Sequence, residues 1–170
     1  SWKGQLEFID VIKKMDTKNK LVLFVGDTKN SSYTNLVKDK IYQNNLTSIC
    51  KILGSVNQNE IRSLYQIADL SVSFPLSAEG FGRTISESLY SDTPVLAFDY
   101  GGVKNQLENL GDLFKVKPHD YQALPSKIEA ILSLNDKHQK EVLQEAKSVI
   151  DKNFSKTNML NKYLKLYESV

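Results

Sequence analysis

Ser77-Ala78-Glu79-Gly80-Phe81-Gly82-Arg83-Thr84-Ile85-Ser86-Glu87-Ser88 lies between a short alternating run and a helical pattern. Just upstream, Leu70, Val72 and Phe74 alternate with Ser71 and Ser73, which predicts a short strand. Pro75 stops that strand, residues 75–82 form a loop, and a helix over 83–91 follows. A strand feeding a glycine-containing loop and then a helix is the repeating unit of an α/β fold with a parallel sheet.

The units on either side repeat this order. Downstream, residues 94–98 read as a strand, Gly101-Gly102 as a turn, 103–110 as a short helix and 113–116 as an edge strand. Upstream, a helix over 5–14 places Phe8, Ile9 and Ile12 on one face. The run Leu21-Val22-Leu23-Phe24-Val25, closed by Gly26-Asp27, predicts a buried central strand. A helix over 33–43 and a strand over 47–53 come next, and Gly54 ends the strand. Asn57 with Glu60 forms a capping box for a helix that runs to Ala68.

The last third is helical, with three apolar stripes. Tyr121, Leu124, Ile128, Ile131 and Leu132 form one, and Val142, Leu143, Ala146, Val149 and Ile150 a second. These two are expected in the core. The third, Leu160, Tyr163, Leu164 and Tyr167, is expected to face another domain and to leave Leu166 or Tyr167 exposed. The expectation for residues 1–170 is one Rossmann-like domain, a three-layer αβα sandwich around a mainly parallel sheet.

Composition narrows the partners. The chain has 170 residues, 41% apolar and 25% charged, with a formal charge of +2. That is enough chain for a real core, and no broad positive field points to nucleic acid or anionic membrane. The single cysteine, Cys50, cannot form an internal disulfide, which fits a reducing, cytoplasmic setting. It sits in an apolar run and reads as a small buried strand residue rather than a nucleophile. No apolar stretch is long enough to span a membrane, and Ser1-Trp2-Lys3-Gly4 leads straight into an amphipathic pattern without a signal peptide. Such a start reads as a fragment boundary. His119 and His138 are isolated and no carboxylate cluster has ligand spacing, so neither a metal nor a cofactor is expected.

The chemistry concentrates in residues 79–87. A glycine loop entering a helix presents backbone N–H groups and the positive end of the helix dipole, a setting that suits a phosphate or diphosphate. Glu79 and Glu87 flank it. Two carboxylates aimed at a diphosphate would repel it, whereas on either side they can accept from the hydroxyls of a sugar and of a ribose. Glycine loops before helices are also common without any ligand, and Glu87 could simply answer the helix dipole.

Glu79-Gly80-Phe81-Gly82 with Glu87 resembles the E-x7-E signature of the large retaining glycosyltransferase family of GT-B fold. Thr93-Pro94-Val95 and Gly101-Gly102 are similar to that family's G-x-P-V…G-G segment, with Asp92 in place of a glycine. Gly54 to Asn57, Leu64 to Asp69, Phe74-Pro75, Gly26-Asp27 and Lys3-Gly4 follow its other landmarks in order. The resemblance covers most of the chain and implies the donor-binding, C-terminal half of such an enzyme. The family's preceding strand and arginine, and its acceptor-binding N-terminal domain, lie outside this sequence.

What the resemblance implies is specific. Lys3 contacts the donor diphosphate, and Glu79 binds hydroxyls of the transferred sugar beside the N–H groups of Gly80, Phe81 and Gly82. Arg83 and Thr84 present N–H groups to the β-phosphate, and Glu87 holds the ribose. Val56 and Asn57 lie beside the base, and Gly26 matches the family's glycine after the preceding strand. The partners implied are a nucleotide sugar and the missing domain, and the full-length protein would sit in the cytoplasm, peripheral at the inner membrane face. Cell-surface polysaccharide or lipopolysaccharide assembly is the implied setting.

Two other readings differ in class. A dinucleotide-dependent oxidoreductase requires G-x-G-x-x-G after the first strand, and Gly26-Asp27-Thr28-Lys29-Asn30 does not supply it. A non-catalytic nucleotide-sugar-binding module has the same sequence requirements as the donor domain and stays open.

Overall fold

Val95-Leu96-Ala97-Phe98 is the most completely buried strand of the computed structural model, which describes residues 2–108 and 110–169. Among these residues eight α-helices and five strands alternate: α1 Gln5–Ile12, β1 Val22–Val25, α2 Ser31–Gln43, β2 Cys50–Gly54, α3 Gln58–Ile67 and β3 Ser71–Ser73. They continue with α4 Arg83–Tyr90, β4 Val95–Phe98, α5 Gly102–Leu107, β5 Lys115–Val116, α6 Leu124–Leu132, α7 Asp136–Phe154 and α8 Lys156–Glu168. A 3-10 turn over Asp112–Phe114 precedes β5.

All pairings are parallel, as the alternation of strand and helix predicts. The strands form two ladders, one of β1 and β2, the other of β3, β4 and β5. In the second, Val72 pairs with Leu96 and Phe98 with Val116. β4 is central there, and helices cover both its faces, which is why its sequence is apolar without alternation.

The first ladder corrects one expectation. All four residues of β1 are only half-buried, and Leu21 is 62% exposed and outside the strand. Among the described residues β1 pairs on one edge alone, so its apolar run lacks the second neighbour that would bury it fully. Several boundaries also move. Residues 47–49 turn back on α2, with the Ile49 and Cys50 N–H groups donating to the Leu46 carbonyl, so β2 starts late. Asn30 caps α2 through its side chain, which starts that helix two residues early. The helix expected over 103–110 ends at Leu107, and Asn109 lies outside the described residues. The capping box at Asn57 and Glu60 forms as expected.

α1 joins the two halves by packing on both α2 and α6. Phe8 of α1, Phe74 beyond β3 and Phe98 of β4 stack in a chain with centroids 5.4 and 5.1 Å apart. Gly4, at φ +78, precedes α1; a Cβ there would lie 2.0 Å from the Phe74 carbonyl oxygen. Only glycine allows that approach. The Leu76 N–H then donates to the Trp2 carbonyl (2.7 Å), so the start of the chain is pinned beside the loop that follows β3.

The first two C-terminal stripes lie in the core through Leu124, Ile128, Ile131, Leu143, Ala146 and Ile150, although Leu132 is 39% exposed. α8 buries none of its residues, and Leu166 and Tyr167 stand 59% and 75% exposed.

Candidate functional site

β3 ends against Phe74, and the Tyr100 hydroxyl donates to the Pro75 carbonyl to hold the chain as it leaves the sheet. The loop that follows reaches α4 through Gly82, its N-cap, which offers no side-chain acceptor. The Arg83 and Thr84 N–H groups at the first turn are thus available to a ligand, together with the positive end of the α4 dipole.

The turn at the start of α5 clamps the same loop from behind. The Gly102 N–H donates to the Glu79 carbonyl (2.8 Å), and a Cβ on Gly102 would fall 2.0 Å from the Gly80 carbonyl oxygen. Gln106, 1% exposed, reaches the same segment: its amide donates to the Phe81 carbonyl and, at 3.3 Å, to that of Gly82. Sequence reading does not single out Gln106, because an inward polar residue in a short helix looks like a surface position. Its only signal is its place one turn after the double glycine.

The loop and α4 enclose a cavity of about 300 Å³, lined by Lys3, Glu79, Gly80, Phe81, Gly82, Arg83, Thr84 and Glu87. Lys3, brought there by the Trp2–Leu76 bond, forms an ion pair with Glu79. The Glu79 side chain is 9% exposed and that of Lys3 43%, so the carboxylate is fixed in the wall and the cation reaches outward. The Lys3 ammonium also lies 4.2 Å from the centre of the Trp2 ring. Glu87 stands one turn into α4 at the opposite end, with the Tyr65 hydroxyl 3.5 Å from its carboxylate. Burial pushes the Tyr65 hydroxyl up to about 12, and the Glu87 charge adds to it, so Tyr65 stays protonated beside that acid. Phe81, at the rim, meets Phe154 edge-on at 5.4 Å, at the junction of α7 and α8.

Three residues named from the sequence lie outside the cavity lining. Asn57 uses its side chain to cap α3, accepting from the Asn59 and Glu60 N–H groups at 3.0 Å each. Val56 is half-buried just before it, and the Gly26 N–H donates to the Gly54 carbonyl (2.9 Å) at the end of the first ladder. Cys50 is 5% exposed and burial pushes its thiol up to about 11, which makes it an inert core residue. His119 and His138 are both exposed. No described helix is long and apolar enough to cross a membrane.

The model of the family described as "Glycosyl transferases group 1" matches residues 1–149. A trehalose synthase of Thermococcus litoralis is 30% identical over 175 residues, which cover 99% of this chain and 42% of that protein. A crystal structure of a glycosyltransferase from Rickettsia africae superposes with a TM-score of 0.87 at 32% identity, over 99% of this chain and 45% of the other. The Anabaena protein HepE, solved in complex with UDP and glucose, superposes with a TM-score of 0.84 at 23% identity, over 99% of this chain and 46% of the other. The chain thus spans less than half the length of the curated relatives it matches. A family match over most of the chain, with overlays that run nearly end to end, leads to one assignment: the chain belongs to the group 1 glycosyl transferases and has the α/β architecture of one half of a GT-B enzyme.

Proposed function

We propose that this chain binds the nucleoside-diphosphate sugar of a glycosyltransferase, and that the transfer reaction needs the rest of a longer protein to supply the acceptor. One observation carries the reading: Lys3, Glu79, Glu87 and the uncapped start of α4 face one cavity. UDP and glucose on HepE, which shares the fold, support it.

In this reading the diphosphate lies over the start of α4, taking N–H bonds from Arg83 and Thr84 and the charge of Lys3. Glu79 turns to the hydroxyls of the sugar and Glu87 to those of the ribose; Val56 and Asn57 sit on the side of the base. The bond from the anomeric carbon to the β-phosphate oxygen breaks, and its electron pair leaves on the diphosphate. The acceptor hydroxyl bonds to the same face of the carbon, with retention, and passes its proton to the departing phosphate oxygen on that face. Lys3 and the helix dipole stabilise the charge that grows on the leaving diphosphate. No step calls for a metal. The acceptor is a cell-surface glycan or lipid-linked saccharide, used at the cytoplasmic face of the membrane, and residues 1–170 alone do not carry out the transfer.

Calorimetric titration with UDP, GDP, ADP and their sugar conjugates tests the proposal. Binding selective for one base is expected, weakened about tenfold or more by Glu87→Gln, which keeps the shape and removes a charged acceptor. Binding by the full-length protein that Glu87→Gln leaves unchanged removes Glu87 from the site. Silence of the full-length protein across the panel overturns the reading. A full-length protein that binds donor and transfers nothing to any saccharide acceptor is instead a binding module.

A further inference from the structure

The loop over residues 79–82 has little regular structure of its own, yet its amide groups are useful only if they face the cavity. Gln106 sits behind it on α5, fully enclosed, and has just enough groups to fix it. Its carboxamide oxygen accepts from the Ser86 hydroxyl at 2.6 Å. Its nitrogen donates to the Phe81 carbonyl and, at 3.3 Å, to the Gly82 carbonyl. Two carbonyls can only accept, so the end of the amide that faces them must be the NH2 group. The Ser86 hydroxyl, able to donate or accept, donates to the oxygen left at the other end and anchors it.

A trans peptide unit carries its C=O and N–H on opposite sides of one plane. When Gln106 draws the carbonyls of Phe81 and Gly82 back toward α5, the N–H groups of Gly82 and Arg83, in the same two peptide units, are turned the other way. That side is the cavity lined by Lys3, Glu79 and Glu87. Gly102 adds the steric half of the device, since its N–H holds the Glu79 carbonyl and its missing side chain lets the loop lie flat against α5.

We propose that Gln106 is a positioning residue, aiming the Gly82 and Arg83 N–H groups at an anionic diphosphate while making no contact with the ligand itself. The inference rests on the donor-binding reading for its biological ligand, but its test does not. The probe is inorganic pyrophosphate, titrated into the full-length protein while the amide resonances of Gly82 and Arg83 are followed, with thermal unfolding measured in parallel. Pyrophosphate is expected to shift both resonances. Gln106→Met, which keeps the volume and removes the amide, is expected to weaken pyrophosphate binding about tenfold or more and to abolish those shifts while the protein remains folded. Should Gln106→Met fail to fold, Ser86→Ala serves in its place. It leaves Gln106 present but takes away the donor to its carboxamide oxygen, so the amide is held less firmly and a smaller loss of the same kind is expected.

Unchanged affinity in whichever of the two variants is measured overturns the proposal. So does a wild-type protein in which pyrophosphate leaves Gly82 and Arg83 unshifted, or a loss of affinity no larger than the unfolded fraction explains. A protein that binds pyrophosphate through Gln106 but no nucleotide sugar would retain this inference and overturn the donor reading.

Discussion

Lys3 and Glu79 neutralise each other across 76 positions of sequence, and a diphosphate entering the cavity competes with that pair for the lysine. The exchange suits the roles proposed for them. Glu79, held in the wall, remains to accept from sugar hydroxyls once Lys3 turns to the phosphates. At the other end, Tyr65 keeps its proton next to Glu87, with burial raising its hydroxyl from an ordinary 10.0 to about 12. The native form therefore holds this proton more tightly than the unfolded chain. The corresponding stability is complete below about pH 10 and is lost as pH rises through 12. Denaturant melts between pH 9 and 12 should show a fall on the order of 1 kcal/mol from this residue, absent in Tyr65→Phe. An identical alkaline fall in Tyr65→Phe would mean other tyrosines carry it.

Among the elements, α3 has the clearest start. Asn57 accepts from two N–H groups of the first turn, and the Glu60 carboxylate accepts from the Asn57 N–H at 2.7 Å. Asn57→Ala is expected to cost about 1 kcal/mol in chemical denaturation. Because the proposed reading sets Asn57 on the side of the base, nucleotide affinity should be measured on the same variant. A change in affinity beyond the stability loss would give it a second role. α3 was legible because a capping box is a local code, and β4 because a parallel strand covered on both faces is apolar throughout. β1 reads the same way as β4 and differs in burial, since burial depends on which strands arrive alongside, a non-local fact. The glycines before α4 and the acids spaced at 79 and 87 were legible as a candidate site, and the structure brings them to one cavity. Gln106 was not, because its meaning lies in two carbonyls that only the folded chain brings to it.

On the scale of the molecule, the family model stops at residue 149 and burial nearly stops soon after. α8 continues to Glu168 with Met159, Leu160, Tyr163, Leu164, Leu166 and Tyr167 all 47–75% exposed. A helix that buries so little contributes little to this fold. Removing residues 156–170 is expected to change the unfolding free energy by no more than about 1 kcal/mol. A larger loss would show that α8 supports α7 and, through Phe154, the Phe81 rim.

The two ladders have a consequence for how the isolated chain behaves in solution. β1, β2, β3 and β5 each pair along one edge only among the described residues, leaving the N–H and C=O groups of the other edge without a ladder partner. Such rows are templates for any extended backbone that reaches them. β1 and the turn before it, with Leu21 in the open, add apolar surface to one of these rows. At high concentration the nearest backbone is a second copy of the same chain, so self-association of the isolated chain is expected to begin edge to edge at these short strands.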